Sequence, residues 1–112
     1  MKDKLYQYQA VCVRIVDGDT VDAMIDLGFD TWVKRRVRLH GINAPESRTR
    51  DAEEKKKGLE SKARLKELIL DEDFILESKG IGKYGRCLGV IHCHGHNINQ
   101  QMIDEGYADE YE

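Results

Sequence analysis

The sequence predicts a mainly-β α+β fold of five strands and two helices, and three observations carry that expectation. β-Branched, alternating stretches lie before residue 40 and again after residue 72. A run rich in Leu, Ala, Lys, Glu and Arg lies between them, over Leu59 to Leu70. Glycines, an Asp-Gly-Asp step and the chain's only proline separate the segments. The 112 residues, 40% hydrophobic and 35% charged, suit one domain over 1–112 with one modest core. Apolar and charged residues are too well mixed for disorder. No apolar run approaches the roughly 18 residues of a spanning helix.

The first strand is Tyr8 to Val16, with Val11, Val13 and Ile15 expected on one face. Asp17-Gly18-Asp19 turns the chain, and Thr20 to Asp26 alternates Val21, Ala23 and Ile25 against Asp22, Met24 and Asp26. A third strand, Trp32 to His40, sets Val33, Val37 and Leu39 against Lys34, Arg36 and Arg38. Gly41 to Pro45 ends the pattern, and a polar stretch, Ser47 to Lys57, follows. The helix at Leu59 to Leu70 is expected to turn Leu59, Ala63, Leu65, Leu68, Ile69 and Leu70 inward. Asp73 to Ser78 is the fourth strand, Gly80 to Arg86 a glycine-rich loop, and Cys87 to Cys93 the fifth strand. Asn97 or Asn99 caps a short helix, Gln100 to Glu105, that Gly106 ends. Three strands, a helix, two strands and a second helix are the layout of the oligonucleotide/oligosaccharide-binding (OB) barrel.

Charge is unevenly placed. The formal net charge is -3, yet Lys34 to Lys66 holds 12 Lys/Arg against 5 Asp/Glu, a local balance of +7, and the remainder carries -10. A basic face that meets phosphate is compatible with this distribution, while the overall sign argues against non-specific wrapping of nucleic acid. Glu53 to Lys57 reads as a solvated helix face, whereas Lys34, Arg35, Arg36 and Arg38 lie on a strand. Cys12, Cys87 and Cys93 are odd in number and have no CxxC spacing, so they read as reduced core residues, not as a disulfide framework or thiolate site. With no hydrophobic stretch at Met1 to Gln9, the expected location is cytoplasmic, unless a signal has been removed.

Three segments can carry chemistry. Asp17 and Asp19 place two carboxylates in a tight turn, as a hard cation requires, although an Asp-Gly hairpin would look the same. Arg38 leaves the third strand and leads to a loop with Asn43, Ala44, Pro45 and Glu46. Lys83-Tyr84-Gly85-Arg86 sets cations around an aromatic, which suits a phosphate and a stacked base but also an ordinary loop tip.

Taken in this order, the DGDT turn, the arginine with its Asn-Ala-Pro-Glu loop and the YGR tripeptide resemble the staphylococcal nuclease family, over Val11 to about Ala108. The Asn99, Gly106 and Ala108 run extends the likeness. The resemblance implies the OB barrel, one calcium ion, and hydrolysis of DNA and RNA phosphodiesters, with single-stranded or flexible nucleic acid as partner. It implies Asp19 as a direct calcium ligand, Asp17 behind it, Asn43 where the family has a second aspartate, and Ala44 as a carbonyl donor. Glu46 matches the carboxylate that activates water, Arg38 and Arg86 the two arginines that grip phosphate, and Lys83 and Tyr84 positions that touch the nucleotide. A neutral Asn43 predicts weaker calcium affinity or a shifted metal preference.

The expectation is therefore a monomeric, calcium-dependent nuclease without membrane contact. A non-catalytic nucleic-acid binder on the same barrel is the alternative, favoured by Asn43. A protein-interaction module is a third, for which only the acidic final stretch, Asp104 to Glu112 with five Asp/Glu, argues. His92, His94 and His96 could suggest zinc, but further convergent ligands are not evident, and an exposed hairpin end accounts for them better. His40 reads as a hydrogen-bonded strand-end histidine and Trp32 as a packing residue.

Overall fold

The computed structural model describes residues 6–82 and 85–111. Lys83 and Tyr84 lie outside the described residues. Strand β1 (Gln7–Asp17) pairs antiparallel with β2 (Thr20–Asp26), and β2 with β3 (Trp32–Leu39). On its other edge β1 pairs antiparallel with β5 (Asp73–Ile81), which pairs with β6 (Cys87–Cys93). A short parallel pairing of β6 with β3, Val37 to Leu39 against Cys87 to Gly89, closes the barrel. This is the five-stranded OB barrel that the sequence predicts, with helix α1 (Ala52–Ile69) between its third and fourth strands. Three two-residue pieces complete it: β4 (Ile42–Asn43), β7 (His96–Asn97) and β8 (Asp109–Glu110). Helix α2 (Ile98–Asp104) lies between β7 and β8.

The barrel interior is filled by small and branched residues, among them Cys12, Val21, Ala23, Val37, Leu39 and Ile91. Leu65 and Ile69 of α1 and Met102 of α2 join this core, and all three are fully buried. Cys12 and Cys93 are buried and Cys87 packs partly against the core, as their neighbours suggested. Burial pushes the Cys12 thiol up to about 11.

The inward face of β1 differs from simple alternation. Ala10, Cys12 and Ile15 are buried, whereas Val13 is 42% exposed. Cys12 stands opposite Ala23 and Arg14 opposite Asp22, so Val13 is an extra residue on β1. Such a bulge shifts the period by one and carries the inward set from even to odd positions.

Helix α1 begins at Ala52, seven residues before the expected start. Asp51 caps it, its carboxylate accepting from the amides of Glu53 (3.0 Å) and Glu54 (3.3 Å). Cap and dipole stabilise two solvated turns that leave no apolar signature. The buried stripe is Gly58, Ser61, Leu65 and Ile69, while Leu59 (48% exposed) and Ala63 face outward. Trp32 is also 48% exposed and is not a packing residue. It shares the outward face of β3 with Lys34 and Arg36, while the next residue, Val33, packs against the core.

Helix α2 starts at Ile98 with Asn97 as its cap, accepting from the Gln100 amide at 3.1 Å. Asn99 is buried instead: its amide donates to the carbonyls of His40 (2.8 Å) and Gly89 (3.1 Å), and its oxygen accepts from Ile91 N. It thereby ties α2 to β6 and to the chain leaving β3.

Candidate functional site

Gly18 and Asp19 form the two-residue turn between β1 and β2, since Asp17 pairs directly with Thr20. Neither adopts the left-handed conformation of a type I′ hairpin turn. Gly18 is needed for closeness instead. A Cβ there would lie 2.6 Å from Cβ of Ser61 on α1 and 3.0 Å from Cβ of Ala44. The turn is pressed between helix and loop, and its carboxylates are used on that loop.

Asp19 is buried; its Oδ2 accepts from the Ala44 amide at 2.9 Å and its Oδ1 from the Thr20 hydroxyl at 2.9 Å. Asp17 Oδ1 accepts from both the amide and the hydroxyl of Ser47. The two aspartates thus hold the loop on either side of Pro45 and Glu46. Gly58 of α1 supports the same loop from below, because a Cβ there would overlap the Glu46 carbonyl. The backbone of Glu46 is therefore fixed from two sides, while its side chain is left exposed.

Arg38 stands on β3 opposite Thr20, with its side chain 15% exposed. Its Nη1 donates to the carbonyls of Ile42 (3.0 Å) and Leu39 (3.3 Å) and its Nη2 to Oδ1 of Asn43 (3.2 Å). Nη1 also lies 3.6 Å from Asp19 Oδ2, and the guanidinium sits 5.5 Å from the Tyr111 ring centroid. Tyr111 arrives there because β8 pairs with β4, Ile42 opposite Glu110 and Asn43 opposite Asp109, and its amide donates to Gly41 O. The guanidinium is clamped in one orientation with Nε lacking a partner among the described residues.

The sequence-predicted residues meet unequally. Asp19, Ala44, Arg38 and Asn43 form one contact network, and Asp17 joins it through the loop. Glu46 lines a cleft of about 480 Å³ with Asn43, Ala44 and Asp109. Arg86 precedes Cys87, whose partner on β3 is Val37, next to Arg38. Its side chain makes no ion pair among the described residues. Ser47, Gly58 and Ser61 were not legible as site residues, whereas Tyr111 could be expected to supply an aromatic contact and does so over Arg38. Ser47 acts across 30 positions, and nothing local marks it.

The network presents oxygen donors, the Asp19 carboxylate and the Asn43 amide oxygen, both turned toward the Arg38 guanidinium. That set suits a hard divalent cation. Among the described residues no three His, Cys, Asp or Glu side chains converge as a metal cage. The histidine tract is a β6–β7 hairpin whose His92 pairs with Glu77 at 3.0 Å and His94 with Glu72 at 2.6 Å, each on its own carboxylate.

A closed OB barrel with a braced acidic turn and a clamped arginine defines a class of small β-barrel with a charged cleft between the loop after β4 and the first turns of α1. The chain belongs to the staphylococcal nuclease family: the model of that family, described as "Staphylococcal nuclease homologue", matches residues 36–112. The chain is 32% identical over 113 residues to a micrococcal nuclease of Shigella flexneri, covering 93% of this chain and 59% of that one. It is 38% identical over 82 residues to the staphylococcal-like nuclease CAN1 of Arabidopsis thaliana, covering 70% of this chain and 22% of that relative. Endonuclease YhcR of Bacillus subtilis is 32% identical over 114 residues, covering 94% of this chain and 9% of that protein. The chain thus spans 59% or less of the length of these three relatives.

Proposed function

We propose that this chain hydrolyses phosphodiester bonds in single-stranded or flexible DNA and RNA, with calcium held by Asp19, Asn43 and the Ala44 carbonyl. The observation that carries this reading is the clamped Arg38 beside Asp19, next to a loop that two aspartates and a helix glycine hold in place. A bound calcium would act as Lewis acid on a phosphate oxygen. Arg38 and Arg86 would share the negative charge that grows on the non-bridging oxygens, through planar N–H forks that lysine lacks. Glu46 takes a proton from the attacking water. A new P–O bond then forms and the ester P–O bond breaks, with the leaving oxygen protonated from solvent.

Asn43 favours a second reading, a domain that binds nucleic acid without cutting it, because a neutral ligand weakens a divalent site. Incubation with single-stranded DNA, with calcium or chelator, beside Glu46→Gln separates the two. Calcium-dependent cleavage that falls on the order of 10²–10⁴-fold in the variant supports the enzyme. Salt-sensitive binding with no cleavage under any divalent ion supports the binder. Cleavage that persists in Glu46→Gln removes Glu46 from its role.

A further inference from the structure

The outer face of β3 carries a row that the catalytic reading does not use. At period two, Arg38 is followed by Arg36, Lys34 and Trp32 on one side of the strand. Arg36 confirms the facing: its Nε lies 2.9 Å and its Nη2 3.3 Å from the carboxylate of Asp22, its cross-strand partner on β2. Asp22 in turn pairs with Arg14 on β1, so Arg14 extends the row sideways. One buried carboxylate stands among three cations, and Arg36 keeps a side chain 50% exposed despite the ion pair. Arg14 and Lys34 are exposed and have no ion-pair partner among the described residues. At the far end stands Trp32, half exposed and the only tryptophan in the chain.

A half-exposed tryptophan costs apolar hydration unless something covers it. Of the cations only Arg36 serves the fold, by pairing with buried Asp22, while exposed Arg14 and Lys34 make no ion pair among the described residues. Cations that track a backbone, ending at an aromatic platform, are what binds single-stranded nucleic acid without reading its sequence. From Arg38 to Trp32 the strand runs about 20 Å at roughly 3.4 Å per residue, enough to follow several nucleotides away from the scissile phosphate. We propose that the β3 face is an extended-strand track, in which Lys34, Arg36 and Arg14 meet successive phosphates and Trp32 stacks on a base remote from the site of cleavage. The track rests on the nucleic-acid reading above, but it concerns binding and needs no turnover.

The single tryptophan makes the track directly visible. Its fluorescence is followed in chelator, so that strand length is preserved whichever way the cleavage experiment falls, with a thymidine dinucleotide and a thymidine dodecamer as probes. The dodecamer is expected to quench Trp32 and the dinucleotide to leave it unchanged. Replacing both Arg14 and Lys34 by Ala should lower the salt slope of dodecamer affinity by about 1.4, the share of two phosphate contacts on a single strand. Trp32→Ala should weaken the dodecamer about tenfold while Trp32→Phe largely keeps it. Asp22→Asn, which keeps an acceptor for Arg36 and removes the central negative charge, should tighten it. Dodecamer binding without quenching, an unchanged salt slope in the double variant, or no dodecamer binding at all would each overturn the track. Cleavage in the calcium experiment together with any of these leaves the nuclease reading standing without it.

Discussion

Gly58 lies directly beneath the main chain of Glu46, with no room between helix and loop for a methyl group. The loop that carries the exposed carboxylate therefore rests on the one residue type that lets the two backbones meet. Ser61, one turn later, continues the small-residue contact against Gly18 and donates its hydroxyl to the Tyr107 carbonyl at 2.6 Å. A helix with a conventional apolar stripe would push both segments of the site away from the barrel.

Gly58→Ala tests that dependence because two effects oppose each other. In a free helix the change would stabilise by about 1 kcal/mol. Here the new Cβ would overlap rigid backbone atoms of Glu46 and Ser47, and overpacking of that kind costs about 1–3 kcal/mol. The strain should win, giving a lower urea midpoint and a loss of the proposed nuclease activity beyond what the stability change explains. A variant as stable as the parent would show that the loop moves freely.

Asn43→Asp should tighten calcium on the order of tenfold, since ligand charge sets affinity at such sites. The side chain already lies against Nη2 of Arg38 at 3.2 Å, so a carboxylate would also strengthen that contact. Terbium luminescence or calorimetric titration reads the affinity without relying on turnover. Unchanged affinity would remove Asn43 from the ligand set.

Acid should loosen α2 from α1. Glu105 receives Arg64 Nε at 2.6 Å, Arg64 Nη2 at 3.0 Å and Gln101 Nε2 at 2.8 Å. The Arg64 guanidinium, aided by Gln101, holds the Glu105 carboxyl down at about 2, against 4.5 for an ordinary glutamate. A depressed folded-state value contributes stability that is fully present above pH 4.5 and is lost as pH falls toward 2. Thermal melts across that window should fall more steeply in the parent than in Glu105→Gln. Equal slopes would show that the pair contributes nothing at this surface.

The sequence by itself determined the order of strands and helices and the turns between them, while its resemblance to the family implied the barrel and the roles of the acidic turn, Arg38 and Glu46. The order follows from local pattern: β-branched alternation, an Asp-Gly-Asp step and a proline-fixed loop report their own conformation. The sequence set the start of α1 at Leu59, although Glu53 to Lys57 already read as a solvated helix face, because a cap and charge stabilise those turns without any apolar signature. It also turned Val13 inward, where a bulge on β1 reverses the period. Only the tertiary structure decided how the site is held. Gly18 and Gly58 are required by contacts 43 or fewer and 12 or fewer positions away, Ser47 reaches Asp17 across 30, and Tyr111 reaches Arg38 through a two-residue pairing of β8 with β4. Such choices depend on which backbones approach one another, and close approach selects small or polar residues whose local sequence carries no trace of the partner.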